Sequence, residues 1–462
     1  MALKFTNTLS RRLETFEPIH SGEVRLYTCG PTVYDTAHIG NLRTFMFEDL
    51  LKRYLIYKGY RVSHIMNITD VDDKTIGRAI AEELSLTELT EYHTRLFLED
   101  LRALNILPAD HLPRATEFIP QMVEGIKVLL EKGHAYRTDE GSVFFDVSSF
   151  PEYGRLARLD PEQLRPGERV VDDDYQKDEA RDFALWKARK PADSDYAWPS
   201  PWGEGRPGWH IECSIMSTHF LGKHFDIHCG GVDNIFPHHE NEIAQSRCLY
   251  DTPFVNLWLH SEHLIVDGQK MSKSLGNFYT LREVLDRQCQ PEAVRYILLA
   301  THYRQRLNFT FPRVQESQKA INRLRELVRR LEEVSSSQTG TGPATPDEAV
   351  EAALDDDLNI AGALGAIFSW AKELFGLMDR HDLSHEAAYK SLEALRRYDE
   401  ILGVIYFNLD SEGGEDIKAL IEERDRARKA GDWARADALR EELLARGIIL
   451  EDTPTGTVRK KK

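Results

Sequence analysis

"EVRLYTCGPTVYDTAHIGNLRTFMFEDLLKRYLIYKGYRVSHIMNIT", residues 23–69, decides the fold. Its opening residues, "EVRLYTC", read as a buried strand. Residues 41–59 carry Leu42, Phe45, Met46, Leu50 and Tyr54 at helical spacing, with Gly59 as a stop. Residues 60–69 read as a second strand. Strand, helix and strand in that order seed a doubly wound parallel sheet, an α/β fold. The turn between the first strand and the helix crowds a cysteine, a proline, a histidine and two glycines into residues 29–41. Such a turn is either a plain connection or the floor of a site.

Outward from this stretch, "KHFDIHCGG" (223–231) reads as another strand ending in glycines. Helix-like "PHHENEIAQSRCL" (237–249) follows, with Pro237 suited to a first helical position. "HLIVDGQKMSKS" (263–274) is a strand running into a polar loop. Residues 115–202 differ in texture: a helical stretch, then "GSVFFDVSSFPEYGRL" and a Pro/Gly/Trp-rich run. The expected organisation is a Rossmann-type domain in two halves, 1–114 and 203–262, split by an inserted connective lobe over 115–202. Residues 263–312 hold the polar loop and the segment after it. A helical bundle is expected over 313–410, because Val314, Ile321, Leu324, Val328 and Leu331 recur near helical period. Within it, "SSSQTGTGPATP" (335–346) reads as a flexible linker. "SEGGED" (411–416) reads as a boundary before a small C-terminal mixed α/β domain, 416–462.

Composition sets the class. The chain has 462 residues, 41% hydrophobic and 29% charged, which suits a multidomain globular protein. No uninterrupted run reaches the roughly 18 apolar residues of a membrane span, and no signal-peptide core opens the chain. No membrane partner and a cytoplasmic location are expected. Five cysteines at irregular spacing argue against a disulfide framework and for metal binding or buried thiols. The net charge of −17 argues mildly against a nucleic-acid partner. The charge is uneven, however: residues 416–462 hold 12 Lys+Arg against 10 Asp+Glu, a net of +2, leaving −19 on the remainder.

Three groups of residues suggest chemistry. His38-Ile39-Gly40-Asn41 sits at a strand-to-helix junction, where backbone N–H groups and the helix dipole favour an anion and Gly40 admits a phosphate. Alone, the four residues fit a turn with a helix cap equally well. "KMSKS" (270–274) sets Lys270 and Lys273 about a small turn, able to swing onto a leaving pyrophosphate; alone, it reads as a solvated loop. The two groups lie 232 residues apart (270 minus 38), each beyond a strand. Thirdly, His238 and Glu242 are four apart and share a helix face. Cys213 and Cys29 would complete a four-ligand set of two thiolates, an imidazole and a carboxylate, typical of zinc; alone, the residues read as an amphipathic helix with an ion pair and two buried thiols. Spacing alone leaves His239, Glu240 and Cys229 as rivals.

The first two groups, in this order, resemble the signature pair of class I aminoacyl-tRNA synthetases, with Asn41 where the family pattern ends in a second histidine. More closely, "CGPTVYDTAHIGNLR", "NITDVDDK", "GRPGWHIECS", "FDIHCGGVDNIFPHHENEIAQS", "KMSKSLGN" and "DWARADALREELLARGIILEDTPTGT" resemble the cysteinyl-tRNA synthetase family across residues 27–457. The resemblance implies ATP-dependent activation of L-cysteine and its transfer to tRNA(Cys), with Mg2+ accompanying ATP and one Zn2+ per chain held by Cys29, Cys213, His238 and Glu242. It implies catalytic roles for His38, Asn41, Lys270 and Lys273. ATP contacts fall on His38, Gly40, Asn41, Gly231, Asp233, Lys270 and Lys273. Gly30, Thr69, Trp209 and His228 would line the cysteine pocket, and Arg428, Trp433 and Asp437 would read the anticodon. A monomer is expected. An alternative is the related ligase that joins cysteine to an amino sugar in mycothiol synthesis, which lacks the C-terminal tail. A zinc hydrolase would leave "KMSKS" unexplained, and a non-catalytic tRNA-binding module would have lost the lysines and ligands.

Overall fold

The computed structural model describes residues 2–160, 164–170, 180–190, 196–407, 420, 423–424, 426–428, 432–445, 448–453 and 456–461. The chain forms two compact units, Met1–Val404 and Ile405–Lys462. At the centre of the first lies a parallel sheet of four strands. Their order across the sheet is Val255–Ser261, Phe225–Gly231, Glu23–Thr28, Arg61–Met66. Val24, Leu26, Tyr27 and Thr28 are all buried, as expected of a parallel strand covered on both faces. From Glu23–Thr28 the chain crosses to Arg61–Met66 on one side, whereas Phe225–Gly231 pairs on the other. The order therefore reverses between Glu23–Thr28 and Phe225–Gly231, and a crevice opens at their carboxyl ends.

The connecting helix runs Ile39–Tyr57, two residues earlier at each end than its pattern suggested. Leu42, Phe45, Met46, Leu50 and Tyr54 are buried, but so are Arg43, Glu48, Asp49, Lys52 and Arg53. The helix is enclosed because Pro291–Leu299 and His385–Leu402 pack against it as well as the sheet. Burying such charges is tolerable when they are paired and hydrogen-bonded, or when, as at Glu48, burial raises the carboxyl well above its ordinary value and keeps it protonated. Asp49 accepts from Arg295 Nη2 at 2.7 Å and Arg53 Nε at 2.9 Å. Arg43 donates to the Thr301 and His302 carbonyls at 2.8 and 2.9 Å.

An antiparallel hairpin, Lys4–Asn7 with Arg12–Thr15, precedes the sheet. The chain between the sheet halves builds the helix Ile119–Glu131 and a second, five-stranded sheet. The helices Phe311–Glu332, Asp347–Asp355, Ile360–Asp379 and His385–Leu402 follow. Ile360–Asp379 is long and apolar enough, by length and composition, to cross a membrane, although no uninterrupted apolar run was seen in the sequence. Its Ile360, Ala363, Leu364, Ile367, Trp370, Ala371, Leu374 and Met378 are buried within the protein.

Residues 335–346 correct the linker reading. Thr341 N donates to Asp382 O at 2.9 Å, and Ser384 N to Thr341 O at 3.1 Å. The stretch is sewn to the start of the helix His385–Leu402, and its glycines serve close packing in place of mobility. In the second unit, the helix Trp433–Ala445 buries Ala436, Leu439 and Leu443. An antiparallel hairpin follows, Ile448–Thr453 with Gly456–Lys461, giving a mixed α/β unit. The boundary read at 411–416 lies outside the described residues.

Candidate active site and metal centre

His38 is the N-cap of the helix Ile39–Tyr57. Its Nδ1 accepts from Asn41 N, and Asn41 Oδ1 accepts in return from His38 N, both at 3.1 Å. The turn therefore caps a helix and sets that helix's N-terminus at the crevice. Asn41 completes a reciprocal cap with its side-chain oxygen. The "KMSKS" region comes to the same place. Ile39 N donates to Tyr279 O at 2.9 Å, and the Phe278 ring meets the His38 ring edge-on at 4.8 Å. A Cβ added to Gly40 would lie 2.9 Å from the His38 ring and 3.0 Å from Met271 Cε, so the two segments approach closely here. Lys270 is exposed. Asn277 braces the loop, accepting from Ser272 N at 2.8 Å and donating to Lys270 O at 3.2 Å. The side chain of Lys273 lies outside the described residues, though its backbone begins a short 3-10 turn.

The metal-ligand set gathers beside the switch point. Ligand atoms of Cys29, Cys213, His238 and Glu242 all lie within 4.8 Å of one another. His238 Nε2 lies 3.4 Å from Cys213 Sγ and 3.1 Å from Glu242 Oε1. The helical register between His238 and Glu242 is not the one read from the sequence. The α-helix begins at Glu240, and Ile235–His239 form a wider π-turn with extended backbone at Phe236, so Pro237 does not open an α-helix. The distance between the two side chains closes even so.

A second set, Cys29, His228, His239 and Glu242, is equally compact. His228 Nε2 stands 3.0 Å from Glu242 Oε2, and His239 Nε2 3.2 Å from Cys29 Sγ. His239 was a rival in the sequence; His228 as a ligand was missed, since it lies on the preceding strand. The rivals Glu240 and Cys229 do not join either set. Glu240 instead accepts from Gly154 N and Ala157 N at 2.8 and 2.9 Å.

Chemistry favours a cation here. Burial pushes the Cys29 thiol well above its ordinary value, with Cys213 and Glu242 adding to the rise, and burial likewise raises Cys213. Burial also drops the His238 imidazole to about 3, leaving it neutral, the form a metal takes. Two thiols and a carboxylate crowded in a buried site favour proton release only beside a divalent ion. His210 Nδ1 lies 2.9 Å from His238 Nδ1 and orients its ring.

The other expected residues fall around this centre. The Trp209 ring stacks on His238 at 4.2 Å. Thr69 Oγ1 donates to Glu212 Oε2 at 2.9 Å, a partner that sequence reasoning passed over although it adjoins Cys213. Gly30 N donates to Asn67 Oδ1 at 2.9 Å, and a Cβ on Gly30 would sit 1.6 Å from Asn67 O. No other residue fits that approach. Gly231 ends its strand at the crevice, and nothing nearer than Thr44 Oγ1 at 3.5 Å would meet a Cβ there. Exposed Asp233 accepts from His263 Nε2 at 3.1 Å. In the second unit, Asp437 is exposed on the helix that Trp433 begins, and Arg428 is half-buried on the preceding helical segment. The Trp433 side chain lies outside the described residues.

The sheet order, its switch point and the paired motifs there define a class I tRNA synthetase. The family model described as tRNA synthetases class I (C) catalytic domain matches residues 15–319. Those of the DALR domain and of the Cysteinyl-tRNA ligase anticodon binding domain match residues 349–407 and 410–457. Among solved structures, a Mycobacterium tuberculosis methionyl-tRNA synthetase in complex with methionyl-adenylate shares the fold. Its TM-score is 0.57 at 14% identity, over 86% of this chain and 94% of that one. A putative arginyl-tRNA synthetase from Campylobacter jejuni has a TM-score of 0.57 at 13% identity, over 83% and 93%. A Chlamydia muridarum protein named Cysteine--tRNA ligase is 48% identical over 476 residues, 100% of both chains. One of the same name from Protochlamydia amoebophila is 46% identical over 468 residues, 100% of this chain and 98% of its own. The chain belongs to the cysteine--tRNA ligase family. The amino-sugar ligase alternative finds no support in these matches, which include the tail.

Proposed function

We propose that the chain activates L-cysteine with ATP, giving cysteinyl-adenylate and pyrophosphate, and then passes the cysteine to the 3′ end of tRNA(Cys). The observation that carries this reading is the gathering of Cys29, Cys213, His238 and Glu242 within 4.8 Å beside the Trp209 ring, in a chain of this family. The donor set suits zinc, one per chain, with His228 and His239 standing behind it. When bound, zinc supplies a centre that favours a thiolate strongly over the harder, less acidic hydroxyl of serine.

The protein's own groups do the rest by placement. Gly30 and Thr69 position the amino acid, and Trp209 and His228 wall its pocket. His38, Gly40 and Asn41 offer the capped helix N-terminus to the ATP phosphates, and Gly231 and Asp233 face the ribose. The cysteine carboxylate oxygen attacks the α-phosphorus, and the bond to the bridging oxygen breaks toward pyrophosphate. Lys270 and Lys273 stabilise the charge that grows on that leaving group, while Mg2+ accompanies ATP. In the second step a terminal ribose hydroxyl of tRNA attacks the adenylate carbonyl and AMP leaves. Neither step needs a protein nucleophile. Arg428, Trp433 and Asp437 read the anticodon, the ring stacking on a base. The enzyme works as a monomer.

ATP–pyrophosphate exchange tests the reading. Cysteine should support exchange and serine should lag far beyond the 10–200-fold of a methylene-sized difference. Near-equal rates with the two amino acids would sink metal-based selection, and exchange without any charging of tRNA(Cys) would remove the second step.

A further inference from the structure

Three arginines from distant parts of the first unit meet outside the crevice. Arg11 forms the tip of the N-terminal hairpin, Arg158 lies in the inserted lobe, and Arg304 follows the helix Pro291–Leu299. Arg11 Nη2 donates to Leu156 O at 3.0 Å, fastening the hairpin to the loop that carries Arg158. Arg304 Nη1 donates to Thr6 Oγ1 at 2.8 Å, on the strand that leads to Arg11. Both Arg11 and Arg158 hold left-handed backbone, at φ of 61° and 57°, a conformation that side chains of this kind seldom adopt. All three residues are exposed, and exposed Arg12 and Arg306 extend the surface on either side.

Among the described residues, the ion pairs on this surface are few. Asp357 accepts from Arg304 at 3.1 Å, yet it is buried and already receives Thr6 N at 2.8 Å, Thr6 Oγ1 at 2.6 Å and the Tyr303 hydroxyl at 2.6 Å. Glu262 reaches Arg306 only at 3.7 Å. Partial burial lowers the Arg11 guanidinium, and the Arg158 and Arg304 charges lower it further, so these like charges feel one another. A cationic cluster on a chain of net charge −17 is unusual for solubility alone, and asks for an anion. Guanidinium forks match phosphate oxygens in shape as well as charge. The surface is open and spread over three loops, which suits a chain of phosphates better than a single small anion.

Its position connects it to the site. Thr8 N donates to Trp258 O at 2.8 Å and Asn7 Nδ2 to Asn256 O at 2.9 Å, so the hairpin lies along the edge strand Val255–Ser261. From Thr8 Oγ1 a line of contacts runs to His260 at 2.8 Å, then His239 at 2.8 Å, then Cys29 at 3.2 Å. We infer that Arg11, Arg158 and Arg304 form a docking surface for the phosphate backbone of tRNA, apart from the anticodon contacts. This rests on the reading that the chain acts on tRNA.

The test is tRNA(Cys) affinity across a range of salt concentrations, in the full chain and in Arg158→Glu, Arg304→Gln and Arg61→Glu. Arg61 is exposed at the opposite, amino-terminal end of its strand and serves as a control for generic charge. Arg158→Glu should weaken binding by about tenfold and reduce the slope of log affinity against log salt by about one. Arg304→Gln should show a smaller loss, and Arg61→Glu none. Cysteine-dependent pyrophosphate exchange should stay unchanged in all three, which certifies their folding. Unchanged affinity and slope in both Arg158→Glu and Arg304→Gln would overturn the proposal, as would an equal loss in Arg61→Glu. Exchange in the unmodified chain that fails to prefer cysteine would strike the functional reading and leave this surface to be judged by binding.

Discussion

The metal pocket and the lysine loop are built in opposite ways. Cys213, His228, His238 and Glu242 are each no more than 1% exposed, and every one has a partner within 3.4 Å. The loop after Lys270 holds exposed residues, Leu275 at 59% among them, and Asn277 restrains it mainly through backbone groups. The difference fits the two tasks proposed for them. Telling one amino acid from a near-isostere needs a pocket fixed before the substrate arrives. Stabilising charge that appears only during pyrophosphate release needs a cation able to arrive with it. Substitutions in the pocket should therefore abolish binding and selection, whereas those in the loop should slow one step.

The sharpest test of the pocket is the metal itself. Cys213→Ala and His238→Ala should each reduce zinc from about one per chain to near none, with cysteine activation lost in parallel. His239→Ala should retain zinc. Elemental analysis and pyrophosphate exchange check both statements. If His239→Ala sheds the metal while Cys213→Ala keeps it, the second cluster is the resident site. Cys248→Ser and Cys289→Ser should keep the metal, since neither residue belongs to either cluster.

For the loop, Lys273→Ala should cost roughly 3 kcal/mol in the barrier to adenylate formation, the size of one lost transition-state contact. Single-turnover kinetics should show the loss in rate, with ATP binding affected less. An unchanged rate would make the loop a solvated turn and leave the capped helix as the only phosphate site of the two.

Neither region should depend on the tail for the first step. Deleting residues 416–462 should leave cysteine-dependent exchange near normal and greatly weaken charging of tRNA. Trp433→Ala should show a milder form of the same split, about 1–3 kcal/mol for a lost stacking contact. A truncated chain that stays folded and charges tRNA normally would remove the anticodon role.

The sequence made the sheet legible where one strand face repeats and a glycine ends the element, as at 23–59. It gave no reading of the far side of the helix Ile39–Tyr57, where only tertiary packing reveals the carbonyls and Arg295 that receive Arg43, Asp49 and Arg53. The same limit applied to the metal centre. Cys29 and Cys213 lie 184 positions apart (213 minus 29), and their meeting depends on the packing of the helix Trp209–Leu221 against the strand Glu23–Thr28, which spacing does not encode. Resemblance supplied that set, and could not exclude its neighbour built on His228 and His239.

Residues 335–346 show why composition alone does not separate a fixed region from a loose one. They are as rich in Gly and Ser as the lysine loop, yet both of their glycines are wedged. A Cβ on Gly342 would lie 2.2 Å from Ala387 Cβ, and one on Gly340 2.1 Å from Asp382 O. Gly276, in the lysine loop, meets nothing within 4 Å but holds a φ of +64°. Alanine should therefore act at Gly342 through overpacking, at about 1–3 kcal/mol. At Gly276 it should act through left-handed backbone, at about 1 kcal/mol. Thermal unfolding should register the first clearly, because the wedge belongs to the folded body. The second should barely move the melting temperature while changing the rate of adenylate formation, because strain there shifts the loop's resting shape. If Gly342→Ala melts like the unmodified chain, residues 335–346 are a linker after all, and the distinction between fixed and mobile glycine-rich segments drawn here fails at its nearest control.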